Sequence, residues 1–256
     1  MSDWNVSLYQ KFTKDRQQPV YDLIHRIESD HITTILDVGC GSGMSTLPLK
    51  EAYPNATITG IDYSENMLAS AREKDATITW KQWNCNYSFR EFGKFDLVFS
   101  NAALQWLTNQ AASLEYMAEV VAPNGTLAIQ IPLFQQLPIE ECIRKVVTCY
   151  PAELFQEVTQ NPCVCYTPEY YYNEIIKHFS KVHMWKTEYY QIMDSPKDIV
   201  EFYRSTGLRP YLNLLNETKE KEFLERILIE VQKKYPVQSN GKVLFEFSRL
   251  FIVANQ

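Results

Sequence analysis

The residues best placed to do chemistry form a glycine-rich segment, Asp37-Val38-Gly39-Cys40-Gly41-Ser42-Gly43, that follows a short apolar run. Glycines at this spacing permit a tight turn and let a ligand approach the backbone closely. Asp37 lies in the apolar run before the loop, and Asp62 ends the next apolar run along the chain. A carboxylate at the end of that second run can accept hydrogen bonds from both hydroxyls of a ribose. The spacing therefore predicts a ligand that contains a ribose.

A nicotinamide dinucleotide is the nearest alternative ligand for such a loop. Its fingerprint requires Gly-x-Gly-x-x-Gly, and the sixth position here is Met44. The Tyr-x-x-x-Lys pair of one large dehydrogenase group occurs nowhere in the chain. These departures favour S-adenosylmethionine as the ligand of the loop.

The elements that must position this loop alternate between short apolar runs and helical patterns, which predicts parallel strands joined by helices. We expect strands at residues 35–38, 57–62, 77–83, 95–100, 126–131, 181–192 and 250–254. We expect helices at residues 44–53, 64–74, 109–121, 138–150, 167–179, 196–205 and 217–235. Ser64 is the predicted N-cap of the helix at 64–74. Pro123-Asn124-Gly125 is expected to stop the helix at 109–121. The predicted fold class is α/β, with a doubly wound, mostly parallel, seven-stranded sheet.

Composition and charge limit the possible partners. A hydrophobic fraction of 45% excludes a disordered chain, and a net charge of −6 argues against nucleic acid as a partner. Neither an apolar run of about 18 residues nor a signal-peptide pattern is present, so we expect a cytoplasmic protein without a membrane partner. Cys163 and Cys165 form the only close cysteine pair, and they lack a second pair or a histidine cluster, so we expect reduced thiols and no metal site.

Several segments resemble a known group of enzymes. Asp37–Gly43, Asp62, Asn84 and the stretch after the fourth strand resemble the motifs of class I methyltransferases. Nearly the whole chain is similar to the family of trans-aconitate 2-methyltransferases. The segments that carry this similarity are Ser2-Asp3-Trp4-Asn5 with Tyr9, the glycine loop, Ser100-Asn101-Ala102-Ala103-Leu104-Gln105-Trp106-Leu107, Thr206-Gly207-Leu208-Arg209-Pro210 and Arg249-Leu250-Phe251-Ile252-Val253-Ala254. The stretch from Ser100 also resembles malonyl-carrier-protein methyltransferases, and the stretch from Thr206 is the most specific.

The resemblance implies a Rossmann-like fold with helical insertions that form an active-site cap, and S-adenosylmethionine as cofactor. It implies one domain over residues 1–256, in which 1–30 cap the cofactor, 31–134 form the cofactor-binding core, 135–245 form the helical cap and substrate region, and 246–256 form a closing strand. Cofactor binding is implied for Asp37, Gly39, Cys40, Gly41, Gly43, Asp62, Tyr63, Asn84, Cys85, Asn101, Ala102, Trp106, Tyr9 and Arg16. The family has an Asp where this chain has Asn84, whose amide oxygen is expected to accept the hydrogen bond of the adenine amine.

The acceptor that the resemblance implies is a carboxylate of a small polyacid. A carboxylate is ionised near neutrality, so no general base is required and none is predicted. Contacts to the acceptor are implied for Tyr9, Gln105, Trp106, Tyr189, Tyr203, Arg209 and Arg249. Arg209 is the first choice among the cations, because a guanidinium can bind a carboxylate through two parallel hydrogen bonds. Trp4 and Phe12 are further aromatic candidates, with a place in the core as the alternative.

Two other functions stay open on the sequence. One is methylation of a carrier-bound malonyl group or of another small acid. The other is a module that binds S-adenosylmethionine without turnover, against which the acceptor-side segments at Gln105 and at Thr206–Pro210 argue. We expect a small-molecule partner and favour a monomer.

Overall fold

The computed structural model describes residues 13–29, 31–135, 137–160 and 163–256. The strands in chain order are β1 (Thr34–Val38), β2 (Thr57–Asp62), β3 (Thr79–Gln82), β4 (Phe95–Asn101), β5 (Val121–Pro132), β6 (Lys181–Met193) and β7 (Val243–Asn255). The helices are α1 (Thr13–Ile24), α2 (Thr46–Ala52), α3 (Glu65–Lys74), α4 (Gln110–Glu119), α5 (Pro138–Val147), α6 (Gln156–Gln160), α7 (Pro168–Ile175), α8 (Pro196–Arg204), α9 (Arg209–Leu212) and α10 (Glu217–Lys234). Short 3₁₀ turns lie at Arg90–Phe92, Leu104–Trp106 and Ala152–Phe155. In the part of the chain so described, no helix is both long and apolar enough to cross a membrane.

The strands form one seven-stranded sheet in the order β3-β2-β1-β4-β5-β7-β6. Strands β1 to β5 pair in parallel, and β7 is antiparallel to β5. This confirms the predicted α/β class with a mostly parallel, seven-stranded sheet. The chain runs outward from β1 to β3 and returns to β4 on the other side of β1, so the strand order reverses between β1 and β4. In such sheets ligands bind beyond the carboxyl ends of the strands at that reversal.

Two compact units make up the described chain. The sheet unit comprises Thr13–Pro132, Cys165–Thr187 and Arg249–Gln256. Its central strands are apolar on both faces: in β1, Ile35, Leu36 and Val38 are all fully buried. Parallel strands that are covered by helices on both sides have this pattern. The loops that follow β1 and β4 belong to this unit.

The helical unit comprises, in its described parts, Leu133–Val164 and Glu188–Ser248. Asn216 caps α10, because its side chain accepts a hydrogen bond from the Lys219 amide. Every fourth residue of this helix from Phe223 to Val231 is fully buried, and the helix contacts α5 and α8. The unit therefore has an apolar core of its own. The organisation as one domain over residues 1–256 stays a prediction.

Several element boundaries differ from those predicted. Strand β5 begins at Val121, although the sequence predicted helix up to that residue and a strand only from 126. Its start is fixed by β4, because the Phe95 amide donates to the Val120 carbonyl at 2.8 Å and Phe95 pairs with Val121. Strand β7 begins at Val243, not at residue 250, and helices α1, α6 and α9 were not predicted.

Candidate functional site

The glycine loop folds back over the end of β2. The amides of Gly39 and Cys40 both donate to the Ile61 carbonyl, at 2.8 and 3.0 Å. Gly39 has a φ of +76°, and a Cβ atom there would lie 2.3 Å from the Cβ of Ala103. Only glycine fits this position, since a side chain would be strained and would overlap the segment that follows β4. The loop after β1 is thus packed directly against the loop after β4.

Asp62 fastens this loop in addition to the ligand role predicted for it. One carboxylate oxygen accepts from the Gly41 amide at 2.9 Å, and the other accepts from the Ser64 amide at 2.8 Å. The side chain is half-buried at the carboxyl end of β2. Gly41 itself faces open space, because a Cβ atom there would have no neighbour within 4 Å among the described residues. The carboxylate and the open backbone at Gly41 therefore lie side by side at the carboxyl edge of the sheet, where the strand order reverses next to β1; this place is called the switch point below.

Asp37 is fully buried at the end of β1. Its Oδ2 accepts from the hydroxyls of Ser45 and Thr46, at 2.7 and 2.6 Å, which ties β1 to the start of α2. Its Oδ1 is buried and has no hydrogen-bond partner among the residues that the structure describes. Burial raises the pKa of Asp37 to about 6, the two hydroxyls oppose that rise, and the charge of Asp62 adds to it. A buried acceptor without a partner requires an explanation, and the predicted ligand role of Asp37 would supply one.

A cavity of about 280 Å³ lies beyond the end of β3, lined by Tyr63, Gln82, Trp83, Asn84 and Tyr87. The Trp83 ring is half-buried and packs edge-on against Phe92, with ring centroids 5.1 Å apart. The Oδ1 of Asn84 accepts from the amide and from the Nδ2 of Asn86, at 3.1 and 3.0 Å. An amide oxygen has two lone pairs, so the oxygen expected to accept the adenine amine is already engaged. Asn84 would have to release one of these bonds to do so.

The segment after β4 holds an unusual backbone. Ala102 has a φ of +53°, a conformation that costs a residue with a side chain about 1–2 kcal/mol. Its amide donates to the Gln130 carbonyl at 2.9 Å, and its carbonyl accepts from the Nε2 of Gln105 at 2.6 Å. These two bonds hold the strained residue at the end of the strand. Backbone strain of this kind concentrates at functional sites.

The cysteines predicted at the site are neutral thiols. Cys40 and Cys85 are both buried. Burial raises the pKa of Cys85 to about 12 and that of Cys40 well above its ordinary value, and the charges of nearby aspartates add to both. Thiolate is the nucleophilic form of cysteine, so neither residue is a nucleophile at neutral pH.

The structure brings most of the predicted cofactor residues together at the carboxyl ends of β1 to β4. Within the sheet unit these are Asp37, Gly39, Cys40, Gly41, Gly43, Asp62, Tyr63, Asn84, Cys85, Asn101, Ala102 and Trp106, with Gln105 beside them. Arg249 also belongs to this unit; it pairs with Pro132 across β5 and β7, and it is buried. Tyr9, like Trp4 and Phe12, lies outside the described residues, and for Arg16 the structure describes the backbone in α1 but not the side chain.

The remaining predicted acceptor residues lie in the helical unit. Tyr203 is almost fully buried in α8. A Cβ atom on Gly207 would lie 2.7 Å from the Tyr203 ring, so the turn at Thr206–Pro210 packs against that ring. Arg209 begins α9, is half-buried, and its amide donates to the Thr206 carbonyl at 3.0 Å. Tyr189 lies in β6.

Two residues at the site were not predicted from the sequence. Ser45 and Thr46 were given no role, yet their hydroxyls are the hydrogen-bond partners of Asp37. The signal that could have found them is a pair of hydroxyl residues at the start of the helix that follows a glycine loop. Such side chains can reach a carboxylate on the preceding strand.

Comparison with known proteins places the chain among methyltransferases. A family model described as a methyltransferase domain matches residues 35–125. The trans-aconitate 2-methyltransferase of Yersinia pestis (strain Pestoides F) is 36% identical over 256 residues, which cover 100% of this chain and 99% of that one. The protein of the same name from Azoarcus sp. (strain BH72) is 35% identical over 99% of both chains.

Solved structures show the same fold at lower identity. The YcgJ protein of Bacillus subtilis superposes with a TM-score of 0.61 at 13% identity, over 93% of this chain and 98% of that one. Phosphoethanolamine N-methyltransferase 2 of Haemonchus contortus, solved with S-adenosyl-L-methionine, gives 0.60 at 17% identity, over 97% of this chain and 56% of that one. The sheet order, the glycine loop at the switch point and the similarity over the full length agree. The chain therefore belongs to the trans-aconitate 2-methyltransferase family of methyltransferases.

Proposed function

We propose that this protein transfers a methyl group from S-adenosylmethionine to a carboxylate of trans-aconitate or of a closely related small polycarboxylate. The observation that carries the acceptor assignment is the 36% identity, over the whole chain, to proteins named trans-aconitate 2-methyltransferase. The glycine loop alone supports only the cofactor, because methyltransferases with unrelated acceptors share it. The full-length similarity also includes the helical unit, where Arg209 lies.

The residues at the switch point fit the cofactor. Gly41 offers backbone that faces open space, and Asp62 holds its carboxylate beside it. The unpaired Oδ1 of Asp37 is a buried acceptor for a donor group of the ligand. When bound, S-adenosylmethionine supplies a methyl group on a positively charged sulfur. The residues that would hold it are those predicted from the sequence, with Asn84 contributing through its side chain only if it releases Asn86.

The chemical task of the protein side chains is alignment and exclusion of water. An ionised carboxylate needs no base, and the neutral, buried thiols of Cys40 and Cys85 agree with a site that has no protein nucleophile. Cationic Arg209 and Arg249 would bind the carboxylates of the acceptor that do not react. Trp106, half-buried after β4, and Gln105 would position the reacting carboxylate. Tyr9, Tyr189 and Tyr203 are further acceptor contacts in the proposal.

The proposal also covers the setting of the reaction. The substrate is a small molecule, and the protein acts as a cytoplasmic monomer without a nucleic-acid or membrane partner. The net charge of −6 supports the absence of a nucleic-acid partner. Size-exclusion chromatography with light scattering would measure the oligomeric state directly.

The experiment that tests the function is a methyl-transfer screen. The purified protein is incubated with S-adenosylmethionine labelled in the methyl group and with a panel of free di- and tricarboxylates, including trans-aconitate, and a malonyl-carrier protein. We expect label on trans-aconitate above the other acids, in a product that mild alkali hydrolyses with release of labelled methanol. Label on the malonyl carrier alone, or an alkali-stable product, would contradict the proposal.

A further inference from the structure

A row of polar side chains lies on one face of the sheet, at its carboxyl edge, within the sheet unit. Asp37 of β1 pairs with Phe99 of β4, Asn101 of β4 pairs with Gln130 of β5, and Pro132 of β5 pairs with Arg249 of β7. Paired residues point to the same face, and so do residues two apart along a strand, because successive side chains alternate between faces. Phe99 and Asn101 are two apart in β4, and Gln130 and Pro132 are two apart in β5. Asp37, Asn101, Gln130 and Arg249 therefore share one face on four adjacent strands.

Gln130 belongs to this row, but it is neither among the site residues predicted from the sequence nor part of the proposed function. Its side chain is 1% exposed, and neither Oε1 nor Nε2 has a hydrogen-bond partner among the described residues. The backbone of the same residue is fixed, because its carbonyl accepts from the strained Ala102. A buried amide left without a partner destabilises a fold, so its presence requires an explanation.

The chemistry of the row changes from one end to the other. Asp37 at β1 and Asn101 at β4 each have a buried side-chain oxygen, an acceptor, without a partner in the part of the chain that the structure describes. Gln130 at β5 has both an unpaired oxygen and an unpaired NH₂ group with two donor hydrogens, and Arg249 at β7 is a cation with donors only, so donors enter the row at β5. The acceptors suit a ligand that carries ammonium and sulfonium charge, and the donors suit an anion. The order matches a methyl donor over β1 and β4 and an anionic acceptor over β5 and β7.

From this order we infer that Gln130 binds a carboxylate of the acceptor through Nε2, beside Arg249, and so determines specificity for an anionic acceptor. The inference rests on the proposed function, since it presumes a carboxylate substrate. An ionised carboxylate cannot donate a hydrogen bond, so Nε2 and not Oε1 is the group that meets it. The unpaired amide is then a preformed part of the acceptor site.

The test replaces Gln130 by Met, which has a similar size and no donor. We expect Gln130→Met to lower acceptor kcat/KM roughly 10- to 100-fold, as the loss of a hydrogen bond to a charged group does. Affinity for adenosylhomocysteine, measured by calorimetry, should stay nearly that of the parent, because the inferred contact of Gln130 is to the acceptor and not to the cofactor. The melting temperature without ligand should be equal or higher, because an unsatisfied buried amide is removed. Gln130→Leu repeats the test if the Met side chain is not accommodated.

A matched control is Gln110→Met. Gln110 is also a buried glutamine, but its Oε1 accepts from the Tyr171 hydroxyl at 2.8 Å. This change should lower the melting temperature and leave acceptor kcat/KM nearly unchanged. A structural role for Gln130 predicts the same behaviour in Gln130→Met as in the control.

The outcomes separate the inference from the proposed function. If the parent methylates a carboxylate and Gln130→Met does so equally well, the inference is wrong and the function stands. If Gln130→Met loses affinity for adenosylhomocysteine while acceptor KM is unchanged, Gln130 belongs to the cofactor site and the inference is again wrong. If the parent methylates no carboxylate of the panel, the proposed function is wrong and the inference with it.

Discussion

At the residue scale, the buried carboxyl group of Asp37 links stability to pH. Burial raises its pKa from 3.8 to about 6, so the folded state binds this proton more tightly than the unfolded state does. The stability that this group gives is complete below about pH 4 and is lost as the pH rises to about 6, a change of about 3 kcal/mol. We expect Asp37→Asn, which has no charge to bury, to remove this loss. Urea unfolding of both proteins at pH 4.5 and 7.5 would measure it; an equal pH dependence in both would contradict the argument.

Asp62 gives a second prediction at this scale. Replacing it by Ala removes an acceptor beside the open backbone of Gly41, and should weaken adenosylhomocysteine binding by roughly 1–3 kcal/mol. Asp96→Ala is the control, because that carboxylate accepts from the amides of Thr33 and Thr34, at 2.8 and 3.0 Å, away from the glycine loop. The control should lose melting temperature and keep its affinity in calorimetry. Equal affinity in the Asp62 variant and the parent would count against the ribose role.

Arg209 gives a third prediction at the residue scale. If it binds an acceptor carboxylate, Arg209→Ala should lower acceptor kcat/KM by roughly 2–5 kcal/mol, with cofactor affinity nearly unchanged. Arg204→Ala is the matched control five residues earlier, because Arg204 forms surface ion pairs with Glu220 and Glu201 at 2.7 and 3.8 Å. Surface pairs contribute little, so the control should behave as the parent does. Full activity of Arg209→Ala on trans-aconitate would make Arg249 the next candidate.

At the scale of elements, Gly41 in the loop between β1 and α2 has two proposed roles. It permits a positive φ, and it leaves space for the cofactor; a comparison with Gly241 separates the two. Gly41 and Gly241 have φ values of +54° and +79°, and a Cβ atom on either would have no described neighbour within 4 Å. Alanine at each should cost about 1–2 kcal/mol of stability from backbone strain. Only Gly41→Ala should also weaken adenosylhomocysteine binding, because only there would the methyl group enter the proposed cofactor site. Calorimetry and thermal unfolding of the two variants would show whether the effects separate.

Local signals predicted the elements that depend on local interactions. Helix α3 and its cap were predicted to the residue: the Ser64 side chain accepts from the Met67 amide, and the helix ends at Lys74. Strand β2 was predicted with both of its ends. The start of β5 could not be predicted, because its pairing with Phe95 joins residues that are distant in sequence. The short helix α9 has only four residues, Arg209–Leu212, which are too few for a helical period to show in the sequence.

The site also combines features that the sequence predicts locally with features that depend on contacts in the folded protein. The carboxylates at positions 37 and 62 were predicted, since residue type and spacing along two strands are enough to indicate them. The engaged oxygen of Asn84 and the unpaired amide of Gln130 could not be predicted, because both depend on which side chains meet in the folded protein. The ligand roles of all these residues stay predictions.

At the scale of the whole molecule, the pH dependence of the rate reports the chemistry of the acceptor. A carboxylate with a pKa of about 4 stays ionised from about pH 6.5 to 9, so the single-turnover rate should be nearly flat over that range. A phenol, amine or thiol acceptor loses a proton during the reaction, and its rate would rise with pH. Rapid-quench measurements avoid product release, which can flatten a steady-state profile. A tenfold rise per pH unit would mean that the acceptor is not a carboxylate.

The place of β7 in the sheet has a consequence for synthesis on the ribosome. The strand order puts β7 between β5 and β6, although both of these precede it in the chain. Until Val243–Asn255 has left the ribosome, β5 and β6 each keep an edge that β7 will later pair, and unpaired edges promote association between chains. A nascent chain can pair β1 to β4 early. The edges of β5 and β6 that β7 will contact stay unpaired until nearly all of these 256 residues are made. Premature termination before Val243 would therefore release a chain in which β5 and β6 lack the strand between them. Such a chain would be prone to aggregation and would be a substrate for chaperones and proteases.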